Sequence, residues 1–203
     1  MIVTVELNGK KITREIAPDL LLTDFVRNEG CLSVKRGCET ANCGLCTVFL
    51  NDVPVLSCGV LTARADGCRV TTLEGIRDEA WEFGAFIADQ GAEQCGFCNP
   101  GFVMNAVALF RENPDPTEEE IREYLAGNLC RCSGYEGQLR GIQAYLAWKK
   151  AGRPRTQAGD LGGELKEDRS GDPGGELKED RSGDPGGESE GDGSGNIAEG
   201  AEE

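Results

Sequence analysis

Ten cysteines in a chain of 203 residues that contains no histidine put sulfur chemistry ahead of every other kind. Eight of them fall into two sets. Cys38, Cys43, Cys46 and Cys58 follow the spacing C-x4-C-x2-C-x11-C, and Cys95, Cys98, Cys130 and Cys132 follow C-x2-C-x31-C-x1-C. The first three positions of the first set carry the spacing of a plant-type 2Fe-2S site. A loop wrapped around such a core offers thiolates from three places while its N–H groups point at the bridging sulfides. Gly37 and Gly44 let backbone approach with no Cβ in the way, and Cys58 arrives from beyond the next hairpin. In the second set Asn99-Pro100-Gly101 opens a helix just after Cys98, so a helix N-terminus faces anionic sulfur. Arg131, between Cys130 and Cys132 on one short loop, adds a positive charge.

The missing histidine excludes a His-ligated zinc, a Rieske centre and a Ser-His-Asp triad. An all-thiolate zinc site from Cys43, Cys46, Cys95 and Cys98 is an alternative, but it strands the other four cysteines, whereas two iron-sulfur quartets use all eight. Cys31 and Cys68 are left over and are expected to be buried and inert. No nucleophile pairs with a base anywhere in the chain, so no catalytic residue is expected on it. The glutamates of Thr117 to Glu123 read as a helix N-terminus and a solvated face.

Charge narrows the partners. Lys plus Arg number 21 against 36 Asp plus Glu, a net of -15 that repels nucleic acid and anionic lipid alike. The first residues carry no basic and apolar leader, and no apolar run is long enough for a bilayer. The expectation is a cytoplasmic protein with no membrane and no nucleic acid, in a compartment where cysteines serve as ligands rather than disulfides.

The elements that must hold the sulfurs follow from the pattern. Ile2 to Leu7, then Asn8-Gly9 and Ile12 to Ile16, predict an opening hairpin. Leu20 to Asn28 predicts a short helix ended by Gly30. Thr47 to Leu50 and Val53 to Leu56 around Asn51-Asp52 predict a second hairpin, and Val70 to Leu73 a last strand. From Ile76 the apolar period becomes helical, first at Trp81, Ala85, Ile87 and Ala88 as one apolar face, and predicts four helices, the third starting at a capping box of Thr117 and Glu120 and running to Gly127-Asn128. Each half has a core small enough to need a metal as a staple. Every cysteine and aromatic lies before position 150, after which GGELKEDRSGDP occurs twice, at Gly162 to Pro173 and Gly174 to Pro185. The expected organisation is therefore 1–75, 76–150 and a disordered acidic Gly-rich repeat tail, 151–203.

Gln94-Cys95-Gly96-Phe97-Cys98-Asn99-Pro100-Gly101 and Asn128-Leu129-Cys130-Arg131-Cys132-Ser133-Gly134-Tyr135, with Val34 to Cys38 and Cys43 to Val48, resemble the small iron-sulfur subunit of the molybdenum hydroxylases. This is the xanthine dehydrogenase and aldehyde oxidoreductase family, and the resemblance covers residues 1 to about 150. It implies an α+β fold: an N-terminal β-grasp, ferredoxin-like 2Fe-2S domain followed by a four-helix 2Fe-2S-binding domain. It implies two 2Fe-2S clusters here, molybdopterin on a large partner subunit and FAD on a flavin-binding one. It also implies that Gln94 and Cys132 lie against the pterin. The function implied is electron transfer from the molybdopterin centre through both clusters to a flavin or other acceptor, xanthine dehydrogenase-like by the likeness of the ANCGLC and YEGQLRGI segments. A free-standing diffusible ferredoxin is the rival, and it predicts one cluster. Two positions depart from the family pattern. Ala41 replaces a common glycine, so Asn42 is expected to take the positive φ, and Gln138 replaces an aliphatic residue with Leu139 one place later.

Overall fold

The computed structural model describes residues 1–152, all within one compact unit. Apart from its first two residues, the expected repeat tail lies outside the described residues. The chain begins with β1 (Ile2–Leu7) and β2 (Lys10–Glu15), paired antiparallel, then α1 (Leu22–Asn28). β3 (Thr47–Leu50) and β4 (Val53–Leu56) make a second antiparallel hairpin, and β5 (Arg69–Thr71) completes a mixed sheet of order β2-β1-β5-β3-β4. β1 and β5 are its parallel pair. Helices α2 (Arg77–Asp89), α3 (Asn99–Glu112), α4 (Glu118–Tyr124) and α5 (Glu136–Lys150) follow.

Both hairpin turns use left-handed backbone, with Asn8 at φ 50 and Gly9 at φ 78, and Asn51 at φ 50 and Asp52 at φ 69. Two successive positive-φ residues match the twist of the strands they join, and Asn and Asp tolerate that region better than other side chains. Helix α1 ends in a Schellman motif: Gly30, at φ 92, donates to Arg27 O at 3.0 Å and Cys31 donates to Val26 O at 3.0 Å.

The alternation of β3 decides how the two halves join. Val48 faces a core made with Val3, Val5, Leu22, Phe25, Val26 and Val70. Its neighbour Phe49, 1% exposed, faces the other way into the helical core of Phe83, Phe102, Met104, Val107, Ile142 and Tyr145. One strand thus serves two cores. Phe83 centres the second, with its ring 5.2 Å from both Phe110 and Tyr145. α2 and α5 cross closely because Gly141 has no side chain; a Cβ there would stand 2.6 Å from Ile87 Cδ1 and 3.1 Å from Phe86 O.

Three local expectations are corrected. β5 stops at Thr71, and Leu73 instead begins a 3-10 turn, Leu73–Ile76, that packs on the helical core. α4 has its capping box at Thr117 and Glu120 but ends at Tyr124, before Gly127. Trp81 is 57% exposed rather than on the buried face of α2. On α5, Gln138 and Leu139 both face inward, Gln138 being 4% exposed. No helix among the described residues is long and apolar enough to cross a membrane.

Candidate metal centres

The β3–β4 hairpin sets the ends of the first cysteine quartet. Pairing of Thr47 with Leu56 brings Cys46, just before β3, beside Cys58 in the 3-10 turn Ser57–Gly59. Ser57 locks this closure by donating its N–H to Cys46 O at 3.2 Å and its hydroxyl to the same oxygen at 2.7 Å. Cys38 and Cys43 lie on the preceding loop. There Gly44 turns at φ 75, and Thr47 donates its hydroxyl to Gly44 O at 2.7 Å. A Cβ on Gly37 would stand 2.7 Å from Leu45 Cδ2, so glycine lets the loop close on itself. Ala41, at φ 53, and not Asn42, takes the left-handed conformation, which corrects the expectation. The closed loop sets that φ at the cost of the modest strain an alanine Cβ feels there.

The four thiols differ in character. N–H groups of Asn42 and Thr40, then the Cys43 thiol, draw the Cys38 thiol down to about 6. Burial pushes the Cys43 thiol up. Burial and then the neighbouring Cys46 thiol push Cys58 up to about 12. Cys38 thus lies against Cys43 and Cys46 against Cys58, and Cys58 also feels the charges of Cys38 and Cys43, so the four sulfurs form one neighbourhood.

The second quartet is assembled from two loops. Cys95 and Cys98 occupy the turn into α3, where Gly96 is at φ 71 and Pro100 sits in the first turn of the helix. Cys130 and Cys132 occupy the loop between α4 and α5. Cys132 and Ser133 both donate N–H to Cys130 Sγ, each at 3.4 Å. Burial raises the Cys130 thiol, but the Ser133 hydroxyl and these N–H groups outweigh it and bring it to about 7. Burial and then Cys130 push Cys98 up to about 12. The Phe97 N–H and then the Cys132 thiol lower Cys95, while Cys95 raises Cys132. Cys132 Sγ lies 3.6 Å from Cys95 Sγ. Again the sulfurs interact in pairs, Cys95 with Cys132 at the exposed surface and Cys98 with Cys130 deeper.

Among the described residues no group of three cysteine or carboxylate side chains gathers about one point as a single ion would need. Paired thiols suit a different group: a 2Fe-2S core presents two irons, each taking two thiolates, and N–H groups aimed at sulfur stabilise its negative charge. Each quartet fits that pattern, with all eight cysteines free of disulfides.

Around these thiols lie residues whose positions the spacing did not reveal. Gln94 is exposed, and its side-chain N–H donates to Cys132 O at 3.1 Å, tying the two loops of the second quartet together. Tyr135 holds φ 71 at the N-terminus of α5 and accepts the Cys130 N–H on its hydroxyl at 3.1 Å. A bulky residue in that region is strained, and such strain persists where the surroundings enforce it. Of the leftover cysteines, Cys31 is buried and accepts from the Asn8 amide at 3.4 Å, with burial raising its thiol. Cys68 is only half-buried, which corrects its expected placement.

The chain is similar to known iron-sulfur proteins along most of its described length. A 2Fe-2S iron-sulfur cluster binding domain matches residues 5–77, and a second 2Fe-2S binding domain matches residues 72–143. The small FeS subunit of nicotinate dehydrogenase from Eubacterium barkeri is 41% identical over 136 residues, spanning 66% of this chain and 87% of that subunit. The iron-sulfur-binding subunit of xanthine dehydrogenase from Escherichia coli O157:H7 is 41% identical over 141 residues, spanning 66% and 88%. Among solved structures, quinoline 2-oxidoreductase from Pseudomonas putida 86 superposes with a TM-score of 0.68 at 34% identity, covering 76% of this chain and 98% of the matched one.

Proposed function

Because the chain belongs to the family of small iron-sulfur subunits of molybdenum hydroxylases, we propose that it is the electron-transfer subunit of such an oxidoreductase. On this reading electrons pass from a molybdopterin centre on a large subunit, through two 2Fe-2S sites here, to a flavin subunit or another acceptor. The observation that supports it is the meeting of free thiols from separate segments, Cys46 beside Cys58 across the β3–β4 hairpin and Cys132 Sγ 3.6 Å from Cys95 Sγ between two loops. When bound, a 2Fe-2S cluster takes up and gives back one electron.

The chain's own residues then have distinct tasks. Cys38, Cys43, Cys46 and Cys58 hold one cluster, within residues 1–75, and Cys95, Cys98, Cys130 and Cys132 hold the other, within 76–150. These are a β-grasp half and a four-helix half. The N–H groups of Thr40 and Asn42, and of Cys132 and Ser133, favour the thiolate forms of Cys38 and Cys130. Gln94 and Cys132 face the pterin of the partner. The Gln94 amide already spends a donor on Cys132 O, which leaves its oxygen and its second N–H for a heterocycle. Phe97 and Leu129, each 47% exposed, and Tyr135, 43% exposed, lie on the same two loops as Cys95 and Cys132 and add apolar surface that a large subunit would cover. No side chain here performs the substrate chemistry, and the cytoplasm is the compartment that keeps these thiols reduced. A xanthine dehydrogenase-like holoenzyme is the favoured branch.

The test uses the complex purified with its large subunit, offered xanthine, nicotinate and an aldehyde in turn. Gln94→Ala should slow reduction of this chain by the partner roughly tenfold or more, while the spectrum of the first cluster stays as in the parent. Purification of the chain alone as a one-cluster carrier of two irons would favour a diffusible ferredoxin instead. Unaltered electron flow in Gln94→Ala would overturn the placement of Gln94 at the pterin.

A further inference from the structure

We propose that Asn128, held in place by Asn105, is a positioning residue that sets the contact between the two thiol loops and so the rate at which an electron crosses between them. The inference rests on the assignment of both quartets to clusters. It concerns a seam that neither quartet contains by itself.

The seam is backbone against backbone. Leu129, the residue before Cys130, donates its N–H to the carbonyl of Cys43 at 3.0 Å. Gly44, next to Cys43, lies so near the second loop that a Cβ on it would stand 2.5 Å from Asn128 Nδ2 and 2.6 Å from Gly127 O. Gly101, in the first turn of α3, presses from the other side: a Cβ there would collide with Gly44 O and stand 2.8 Å from Leu45 Cα. Three segments that carry thiols thus meet where only glycine fits.

Asn128 occupies the middle of this junction and is 7% exposed. Its side-chain oxygen accepts from Asn105 Nδ2 at 2.6 Å, and the same amide nitrogen of Asn105 donates to Tyr124 O at 3.2 Å. A buried amide must be hydrogen-bonded to be tolerated, so its orientation is dictated in a way that an apolar side chain's would not be. Asn105 stands on α3, the helix that Cys98 begins, and Asn128 stands two residues before Cys130. The pair therefore fixes the Cys130 loop against both the Cys98 helix and the Cys43-Gly44 turn. The crossing itself is simple to balance: one electron leaves the donor site and reduces the acceptor site by one, with no bond made or broken and no proton moved. Its rate depends on how closely the loops are held.

The experiment uses the full chain, loaded with iron and sulfide and reduced with dithionite, in four forms: the parent, Asn128→Leu, Asn128→Asp and Asn105→Ala. Three things are read: iron per chain, the spin–spin splitting between the two reduced signals, and the rate of electron equilibration between them after pulsed reduction. The parent should hold about four irons in two distinct signals. Asn128→Leu and Asn105→Ala should keep that iron and both signal positions, yet narrow the splitting and slow equilibration by roughly tenfold or more. Asn128→Asp keeps the oxygen that Asn105 needs and should restore most of the splitting and rate. A merely structural role would lower stability or iron content and leave the splitting of the loaded fraction unchanged. Unmoved splitting and rate in a loaded Asn128→Leu, or in a loaded Asn105→Ala where the leucine variant does not fold, overturn this proposal alone. A parent chain that never shows a second signal overturns the cluster assignment, and the proposal falls with it.

Discussion

Ala41 carries a positive φ of 53 in the loop between Cys38 and Cys43, where a glycine would sit without strain. Ala41→Gly removes the clash of Cβ with its own backbone but adds freedom to the unfolded chain. The expected net gain is a few tenths to about 1 kcal/mol, read as a higher denaturant midpoint; a loss of stability would show that the loop does not impose this conformation. Cys98→Ala is the sharper residue test. It should abolish the second iron-sulfur signal and halve the bound iron, while the signal of the quartet around Cys38 remains. Loss of both signals together would mean that the quartets are not separate sites. The two cysteine sets could be proposed as ligands because their spacing is written along the chain. Ala41 was not, because the cost of one left-handed alanine is small enough for a closed loop to override residue preference.

At the scale of elements, the period-2 alternation of β3 carries the most consequence. Phe49 stays in the sheet but points its side chain into the helical core, with Arg111 over its ring at 4.9 Å. Phe49→Ala should cost about 3 to 5 kcal/mol, measured by chemical unfolding. Val53→Ala, at a position 59% exposed on the same hairpin, should stay within about 0.5 kcal/mol. Equal effects at the two sites would contradict the two-core description. A polar latch joins other elements: Glu74 accepts from Ser33 N at 2.9 Å, from the Ser33 hydroxyl at 2.6 Å and from the Thr72 hydroxyl at 2.5 Å. Burial raises the Glu74 carboxyl, but the Ser33 and Thr72 hydroxyls and two N–H groups outweigh it and hold it below the ordinary glutamate value. A carboxyl depressed in the folded state stabilises fully above its ordinary value, and that stability disappears as pH falls through the depressed one. Glu74→Gln should therefore lose stability at neutral pH and show a flatter decline into acid than the parent; parallel pH profiles would show that the latch contributes nothing. Hairpins, helices and the Thr117 capping box could be read from turn chemistry and periodicity. The early end of α4 and the exposure of Trp81 could not, since both depend on which neighbours the helices meet.

Across the described residues the fold has two small cores that share one strand and meet where the thiol loops touch. Neither the Cys43 to Leu129 hydrogen bond nor the fit of Gly44 against Asn128 and Gly101 has any signature in local sequence, because each joins residues far apart along the chain. Gly44 read as room for backbone beside a cluster, and only the packed structure shows that it and Gly101 also make room for another segment of the chain. What the sequence made plain was the change from period-2 strands to helical periodicity near Ile76, which the run of β1 to β5 and then α2 to α5 follows. The relation between those halves came from the structure. The proposal that eight thiols form two separate two-iron sites on one chain is tested most directly by quantitative EPR with iron analysis on the anaerobically reconstituted, fully reduced chain of 203 residues. The expected result is about four irons and two distinct signals integrating to about two spins per chain. A single signal with two irons, or a colourless chain holding zinc, would contradict it.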